Sequence, residues 1–229
     1  MKTIGLIGGM SWESSAAYYE GLNKGIQARL GGLHSAKVVL NSVDLEELND
    51  LQEQGDWDRI SAILSEAAQS VERAGADFIL LCTLSFHHVF DTVAASVNVP
   101  LIGLAGAIED VCKERGFHTV GLLGTKFTLE NNFFAELLSD RGLDVNLPDE
   151  IHVDSLDRII YEELVFRTVK PGSRKRVLTI IDEIWDSGVD AILLGATELS
   201  LLVRPDDVDV PVIDVISVHV DAALDRALA

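Results

Sequence analysis

One seven-residue pattern, Gly-x-Asp-x-Ile-Leu-Leu, occurs twice in the chain and constrains its fold more than any other feature. The first copy begins at Gly75 and the second at Gly188, so their offset is 188 − 75 = 113 residues. In each copy a turn glycine and an aspartate precede a short apolar run, which is typical of a buried β-strand. Small and polar residues follow both runs. Open α/β sheets bind ligands where such strands end.

Two further pairs of segments match with nearly the same offset. Residues 3–9 match residues 119–125 with an offset of 116, and Val99-Pro-Leu-Ile matches Val210-Pro-Val-Ile with an offset of 111. A general likeness between parallel strands would explain any one match by itself. Three matches in one order predict an internal duplication.

Apolar runs alternate with predicted helical segments along the whole chain, among them a helix from about His87 to Ser96 and a helix over residues 129–138. This order predicts an α/β fold with two pseudo-symmetric parallel-sheet α/β domains that face each other across a cleft. We assign residues 1–98 plus 214–229 to the N-terminal α/β domain and residues 99–213 to the C-terminal α/β domain.

Composition excludes several classes of function. The chain has 229 residues, 48% of them apolar, which suffices for two modest domains with a core. A net charge of −19 repels phosphate backbones, so we expect no nucleic-acid partner. We recognise no apolar run of membrane-spanning length and no signal peptide, so we expect no membrane association and a cytoplasmic location. Two cysteines, Cys82 and Cys112, form no disulfide framework.

Small groups dominate the predicted strand ends. Backbone N–H groups at helix starts bind carboxylates well, so a small anionic ligand fits there without a lysine or arginine in every loop. Two half-sites related by a pseudo-dyad suit a reaction that needs one group on each side of a carbon atom. Proton removal on one face and proton return on the other is such a reaction.

Four segments carry a resemblance to a known family. They are the opening Ile-Gly-Leu-Ile-Gly-Gly-Met-Ser-Trp-Glu-Ser, and the segments 29–36, 52–58 and 160–164. The chain resembles the aspartate/glutamate racemases over essentially its whole length, and most closely the bacterial broad-specificity L-Asp/Glu members. The resemblance implies racemisation of a small amino acid or carboxylate without any cofactor or metal, and a homodimer.

The resemblance also implies a mechanism, and this chain departs from it. Family members place one cysteine per domain on opposite faces of the substrate α-carbon, one as thiolate base and one as thiol acid. Here Thr83 stands at the first cysteine position, four residues before His87, and Ala196 stands at the second. Thr at the first position also occurs in the broad-specificity relatives. An alcohol stays protonated near pH 7, and a methyl group transfers no proton.

By this resemblance Thr83 and Ala196 occupy the catalytic positions. The predicted substrate-binding residues are Met10, Gln52, Leu84, Ser85, His87, Thr125, Thr128, Thr197 and Glu198. Cys82 lies one residue from the catalytic position, and strand alternation predicts that it faces the core instead. For Thr125 and Thr128, carboxylate binding and capping of the next helix are equally good interpretations. For Glu198, a role in the site and a plain first-turn acid are about equal.

Three functional hypotheses remain open at this point. The first is an acidic amino-acid racemase, in which Ala196 either replaces a native cysteine by engineering or belongs to a native enzyme that works differently. The second is a non-catalytic member that binds a small carboxylate, which the double loss of cysteine favours. The third is a lyase related to the arylmalonate decarboxylases, which use one cysteine in the second domain. Leu84, at a position where Asn is usual, favours natural divergence of the site.

Overall fold

The chain forms two α/β units in a computed structural model that describes residues 1–204 and 207–229. The first unit comprises Met1–Gly103 and His219–Ala229, and the second comprises Leu104–Val218. The predicted domain boundaries fell after residues 98 and 213. The contact boundaries lie five residues later at each point (103 − 98 and 218 − 213).

Each unit is built on its own four-stranded parallel sheet. The strands are β1 Ile4–Gly8, β2 Val38–Ser42, β3 Phe78–Leu81, β4 Leu101–Ile102, β5 Thr119–Leu123, β6 Asp144–Asn146, β7 Ala191–Leu194 and β8 Val212–Asp214. The order is β2-β1-β3-β4 in the first sheet and β6-β5-β7-β8 in the second. The two orders are identical once four is added to each strand number. The predicted α/β class and the predicted duplication are therefore confirmed.

Helices connect the strands. They are α1 Trp12–Leu30, α2 Leu45–Gln54, α3 Trp57–Arg73, α4 Phe90–Ala95, α5 Leu104–Arg115, α6 Lys126–Glu130, α7 Phe133–Ser139, α8 Glu150–Glu162, α9 Pro171–Trp185 and α10 Val215–Leu228. Short 3₁₀ turns cover Ser85–Val89, Leu164–Phe166 and Thr197–Leu201. Two of these turns follow the carboxyl ends of β3 and β7, the strands that carry the repeated pattern.

The repeated Gly-x-Asp turn has the same structure in both units. Gly75 and Gly188 have φ angles of 94° and 88°, in the left-handed region that favours glycine. The carboxylate of Asp77 accepts the N–H of the residue just before β1 at 2.6 Å. The carboxylate of Asp190 accepts the last N–H before β5 at 2.7 Å and the first N–H of β5 at 2.9 Å. The motif therefore joins the two central strands of each sheet at their amino ends.

A glycine in each first strand allows a helix to approach the sheet closely. A Cβ atom on Gly5 would lie 3.1 Å from the Cγ2 of Val71 on α3 and 2.9 Å from the Cβ of Ala76 in the turn before β3, and one on Gly121 would lie 2.4 Å from the Cγ2 of Ile184 on α9. Real Cβ atoms rarely come this close to other carbon atoms. These two glycines occupy equivalent repeat positions (121 − 5 = 116), so the close approach is part of the duplicated design.

Two predicted helices differ from the structure. The helix predicted over residues 129–138 is divided into α6 and α7, because Asn132 adopts a left-handed backbone conformation with φ 54° between them. The helix predicted from His87 to Ser96 begins as a 3₁₀ turn at Ser85 and becomes α-helical at Phe90.

Candidate functional site

A glycine turn ends the first strand and leads into α1. Gly9 has φ 93°, and a Cβ atom there would lie 2.1 Å from the carbonyl oxygen of Val43, so a side chain has no space. The Gly9 N–H donates to Ser15 Oγ at 2.8 Å, and the Val43 N–H donates to the carbonyl of Gly8 at 3.0 Å. The turn therefore holds the start of α1 against the carboxyl end of β2.

A pair of buried hydroxyls follows the first strand in each unit. Ser11 is the N-cap of α1: its Oγ accepts the Ser14 N–H at 3.3 Å and lies 2.9 Å from Ser14 Oγ. Thr125 is the N-cap of α6: its Oγ1 accepts the Thr128 N–H at 3.3 Å and lies 3.1 Å from Thr128 Oγ1. Both residues of the second pair follow those of the first by 114 positions (125 − 11 and 128 − 14). The duplication has therefore placed the same hydroxyl arrangement at the same strand end twice.

The predicted site residues of the first unit lie together in the turn after β3. Thr83 is 6% exposed, and its N–H donates to the carbonyl of Leu81 at 2.9 Å. Leu84 is buried, Ser85 is half-buried, and the His87 N–H donates to the Leu84 carbonyl at 2.9 Å. The turn is thus closed by backbone bonds on both sides of Leu84.

The His87 ring is buried beneath this turn. It stacks on the ring of Phe90 with centroids 5.4 Å apart and an interplanar angle of 5°. Burial and the nearby His219 lower the pKa of His87, a hydrogen bond to the Thr83 backbone opposes them, and the resulting pKa is about 3. His87 is therefore a neutral ring at physiological pH.

Cys82 faces the core, as strand alternation predicted. Its side chain has no exposed surface, and burial raises the pKa of its thiol. Its N–H donates to the carbonyl of Ile7 at 2.9 Å, just as the Gly195 N–H donates to the carbonyl of Leu123 at 2.7 Å. Cys82 is thus the repeat equivalent of Gly195, directly after the central strand, and a buried thiol with a raised pKa is a poor source of thiolate.

The second unit presents its predicted residues after β7. Ala196 is 6% exposed, the same fraction as Thr83, its repeat equivalent (196 − 83 = 113). The Thr197 hydroxyl donates to Glu198 Oε2 at 2.9 Å, and both side chains are half-buried. The side chain at position 196, the second position predicted to be catalytic, is a methyl group.

Two residues of α8 that sequence reasoning did not select, Tyr161 and Asp157, interact with each other, and Tyr161 also lies near Glu198. Burial and the charges of Asp157 and Glu198 raise the pKa of Tyr161 to about 12. Burial also raises the pKa of Asp157, against a hydrogen bond of 2.8 Å that it accepts from the Lys126 N–H. The available signal was their four-residue spacing, which puts both on one face of α8. This strand end is therefore acidic.

The other two predicted site residues of the first unit, Met10 and Gln52, lie outside the turn after β3. Met10 follows the Gly9 turn and is part of the buried core. Gln52 is half-buried on α2, the helix that follows the carboxyl end of β2.

Two general features bear on cofactors and membranes. Within residues 1–204 and 207–229, no cluster of three or more His, Cys, Asp or Glu side chains is arranged to hold a metal ion. None of the helices described for this chain has the length and apolar character to cross a bilayer.

A family model matches most of the chain. The model for Asp/Glu/hydantoin racemases matches residues 7–223. The chain belongs to this racemase family. The match includes both copies of the repeated Gly-x-Asp-x-Ile-Leu-Leu pattern.

Curated sequence relatives in the racemase family are distant. A glutamate racemase from Shewanella oneidensis is 24% identical over 157 residues, which cover 67% of this chain and 54% of that protein. The broad-specificity amino-acid racemase RacX of Bacillus subtilis is 21% identical over 164 residues, covering 69% of this chain and 68% of RacX. The chain spans about half the length of the glutamate racemases that it matches.

Two solved structures are more similar to this chain in sequence than the curated relatives above. A candidate Asp/Glu racemase from Yersinia pestis is 43% identical with a TM-score of 0.93, and the match covers 100% of both chains. An aspartate racemase homologue from Pyrococcus horikoshii is 33% identical with a TM-score of 0.89, also over 100% of both chains. An arylmalonate decarboxylase at 15% identity and a TM-score of 0.58 shares the fold.

Proposed function

We propose that this chain is an amino-acid racemase-like protein that binds a small acidic amino acid at the carboxyl ends of its strands. Thr83 of the first unit and position 196 of the second would serve the two faces of the α-carbon. The proposal follows from family membership and from one structural observation, the duplicated pair of buried hydroxyls at Ser11–Ser14 and Thr125–Thr128.

Each duplicated pair of hydroxyls favours binding of a carboxylate. Hydroxyl groups and backbone N–H groups donate to carboxylate oxygens, and the chain has one such strand end per unit. Aspartate and glutamate carry two carboxylates on a short skeleton. The acidic residues around Glu198 suit an ammonium group, because opposite charges attract strongly in a partly buried setting.

The proton chemistry limits what the native chain does with this ligand. Removal of an α-proton needs a base, and its return on the other face needs an acid. The Thr83 hydroxyl can donate a hydrogen bond to a carboxylate, but an alcohol is a poor base near neutral pH. The methyl group of Ala196 takes no part in proton transfer. We therefore expect ligand binding with slow α-proton exchange.

Ligand class is tested by thermal stabilisation. We expect L- or D-aspartate and L- or D-glutamate to stabilise the protein by about 2.7 kcal/mol at one hundred times the dissociation constant. Succinate, which lacks the ammonium group, should stabilise it less, and lysine should not stabilise it. Lack of stabilisation by every dicarboxylate in the panel would contradict the proposal.

Restoring the thiol tests the reaction. The variant A196C has threonine at position 83 and cysteine at position 196, and T83C/A196C has cysteine at both positions. We expect A196C to increase exchange of the α-proton of aspartate or glutamate in D₂O by about 10²-fold, the usual contribution of a positioned acid or base. A196S is the matched control, because it adds an oxygen of similar reach without an acidic thiol. Folded A196C and T83C/A196C that bind ligand yet exchange no proton would overturn the racemase assignment.

A second candidate function is carboxylate binding without turnover. It is favoured by the absence of a thiol at both positions 83 and 196, together with the burial of Cys82. The same D₂O assay on the native chain separates the two functions. Ligand-dependent stabilisation without exchange supports the binder, whereas measurable exchange by the native chain supports the enzyme.

We also propose that the protein is a homodimer formed through α1. Trp12 and Tyr19 are 62% and 53% exposed, and Leu30 is exposed as well. Their spacings of 19 − 12 = 7 and 30 − 19 = 11 residues are close to two and three helical turns, so all three lie on one helix face. We call Trp12, Tyr19 and Leu30 the α1 stripe. The chain carries a net charge of −19, so charged faces of two copies would repel, and an uncharged aromatic face suits self-association.

We further infer a cytoplasmic location, since Cys82 and Cys112 are both free thiols. Fractionation of the source cells would test this, and recovery in an extracellular fraction would contradict it.

A further inference from the structure

A buried polar cluster in the first unit involves two residues that the proposed function does not use. Tyr18 on α1 and His219 on α10 have no exposed surface, and His87 is 4% exposed. The ring centroid of His219 lies 5.6 Å from that of Tyr18 and 6.0 Å from that of His87. Burial of a polar group without a hydrogen bond destabilises the folded state. The hydrogen-bond partners of these side chains therefore indicate what the cluster holds in place.

The hydrogen bonds of His219 determine its tautomer. Its Nε2 lies 2.8 Å from the carbonyl oxygen of Ile102, which can only accept, so Nε2 carries the hydrogen. Burial lowers the pKa of His219 to about 4, so the ring is neutral and its Nδ1 is an acceptor. The hydroxyl of Tyr18 lies 2.8 Å from Nδ1 and therefore donates to it. The ring is thus fixed at both nitrogens, between α1 and the carboxyl end of β4.

The fixed ring of His219 lies next to His87. On its other side His87 stacks on Phe90, and it makes a hydrogen bond to the backbone of Thr83. A displacement of the His219 ring would therefore reach Thr83 through a single intervening side chain. Residues in such packed networks move together because the interior has little free volume.

We propose that Tyr18 and His219 are positioning residues for the ligand site: they hold the His87 ring, and the His87 ring holds the Thr83 turn in its binding orientation. This inference rests on the proposed function for its effect on binding. It adds two residues to the site that touch no ligand and that lie 201 positions apart in the chain.

The test removes one oxygen atom. Y18F keeps the ring but removes the O–H that fixes His219 Nδ1. We expect the dissociation constant for aspartate, measured by calorimetry, to rise about 3- to 10-fold, the usual effect of one lost hydrogen bond. We also expect the ¹⁵N and ¹H signals of the His87 and His219 rings to shift in the ligand-free protein. H219L should give a larger effect, and H219Q, which retains an N–H donor, a smaller one.

Two controls separate positioning from general stability. L22A opens a cavity on the same helix and should lower the melting temperature without changing the aspartate affinity or the His87 signals. Y19F removes the hydroxyl of an exposed neighbour of Tyr18. It should change neither the aspartate affinity nor the His87 signals.

Each result decides the inference. Shifted His87 signals in Y18F together with weaker binding support it. Unchanged affinity in Y18F, or an equal loss of affinity in L22A, overturns it. If the native protein binds no dicarboxylate, the proposed function fails; unmoved His87 signals in ligand-free Y18F would then overturn the structural coupling independently.

Discussion

The difference between Cys82 and Thr83 shows how much a single position in a strand determines. Alternation along a strand was enough to predict that Cys82 faces the core, and its exposed fraction of 0% agrees. The contact of Tyr18 with His219 was not predictable, since 201 residues separate them and no local pattern reports such a contact. The local environment of single residues could thus be predicted from the sequence, whereas contacts between residues far apart in the chain could not.

Cys82 provides a prediction at the residue scale. The native protein should not react with a thiol reagent such as DTNB over hours, because Cys82 and Cys112 are both buried and burial raises the pKa of both thiols. The reaction is followed by absorbance. In guanidinium chloride both thiols should react promptly, which shows that the reagent and the cysteines are intact. Fast reaction of one thiol in the folded protein would restore Cys82 as a candidate base.

Among the secondary-structure elements, those with strong repeats were predictable and those with mixed signals were not. The strands of the Gly-x-Asp-x-Ile-Leu-Leu pattern appear where expected, because a turn glycine and a buried run coincide there. The helix after β3 was predicted two residues late, since the tight 3₁₀ turn at Ser85–Val89 has no periodicity long enough to read. The helix after β5 was predicted as one piece because the left-handed Asn132 leaves no strong mark in sequence.

The close approach of α9 to its sheet gives a prediction at this scale. G121A should destabilise the protein by about 1–3 kcal/mol, because the new Cβ would overlap Ile184 and Ile192 in a filled core. G106A is the matched control: it adds the same methyl group within α5, where no atom lies within 4 Å. Alanine there should stabilise the helix by about 0.5–1 kcal/mol. Denaturant unfolding measures both changes, and a neutral G121A would contradict the packing described for β5.

The whole molecule was predictable as a duplication because three sequence matches share an order and an offset. Its exact division was not, because α10 begins in the second unit at Val215 and ends in the first. A continuous helix leaves no break in composition at the boundary. No local sequence motif predicts assembly with a second copy. The α1 stripe could be identified only once the exposed fractions of its side chains were known.

The α1 stripe gives a prediction for the assembly. W12E/Y19E places two negative charges on each copy of the stripe and should convert a dimer into a monomer, with at least a tenfold weaker self-association, because like charges would face each other. Sedimentation or light scattering over a range of concentrations measures this.

I151E is the control for the stripe, since Ile151 is an exposed apolar residue of the second unit. It should leave the assembly unchanged. A native protein that is monomeric at all concentrations would refute the dimer.

The first unit depends on residues 219–229, and this has a consequence for how the protein is made. The backbone N–H of Lys2 donates to the carbonyl oxygen of Ala227 at 2.9 Å, so the first unit is complete only after residues 219–229 have been synthesised. Residues 104–218 emerge as one uninterrupted stretch. During synthesis the second unit is therefore expected to mature before the first, and nascent chains halted short of residue 219 would carry an unfinished first unit exposed to proteases and chaperones.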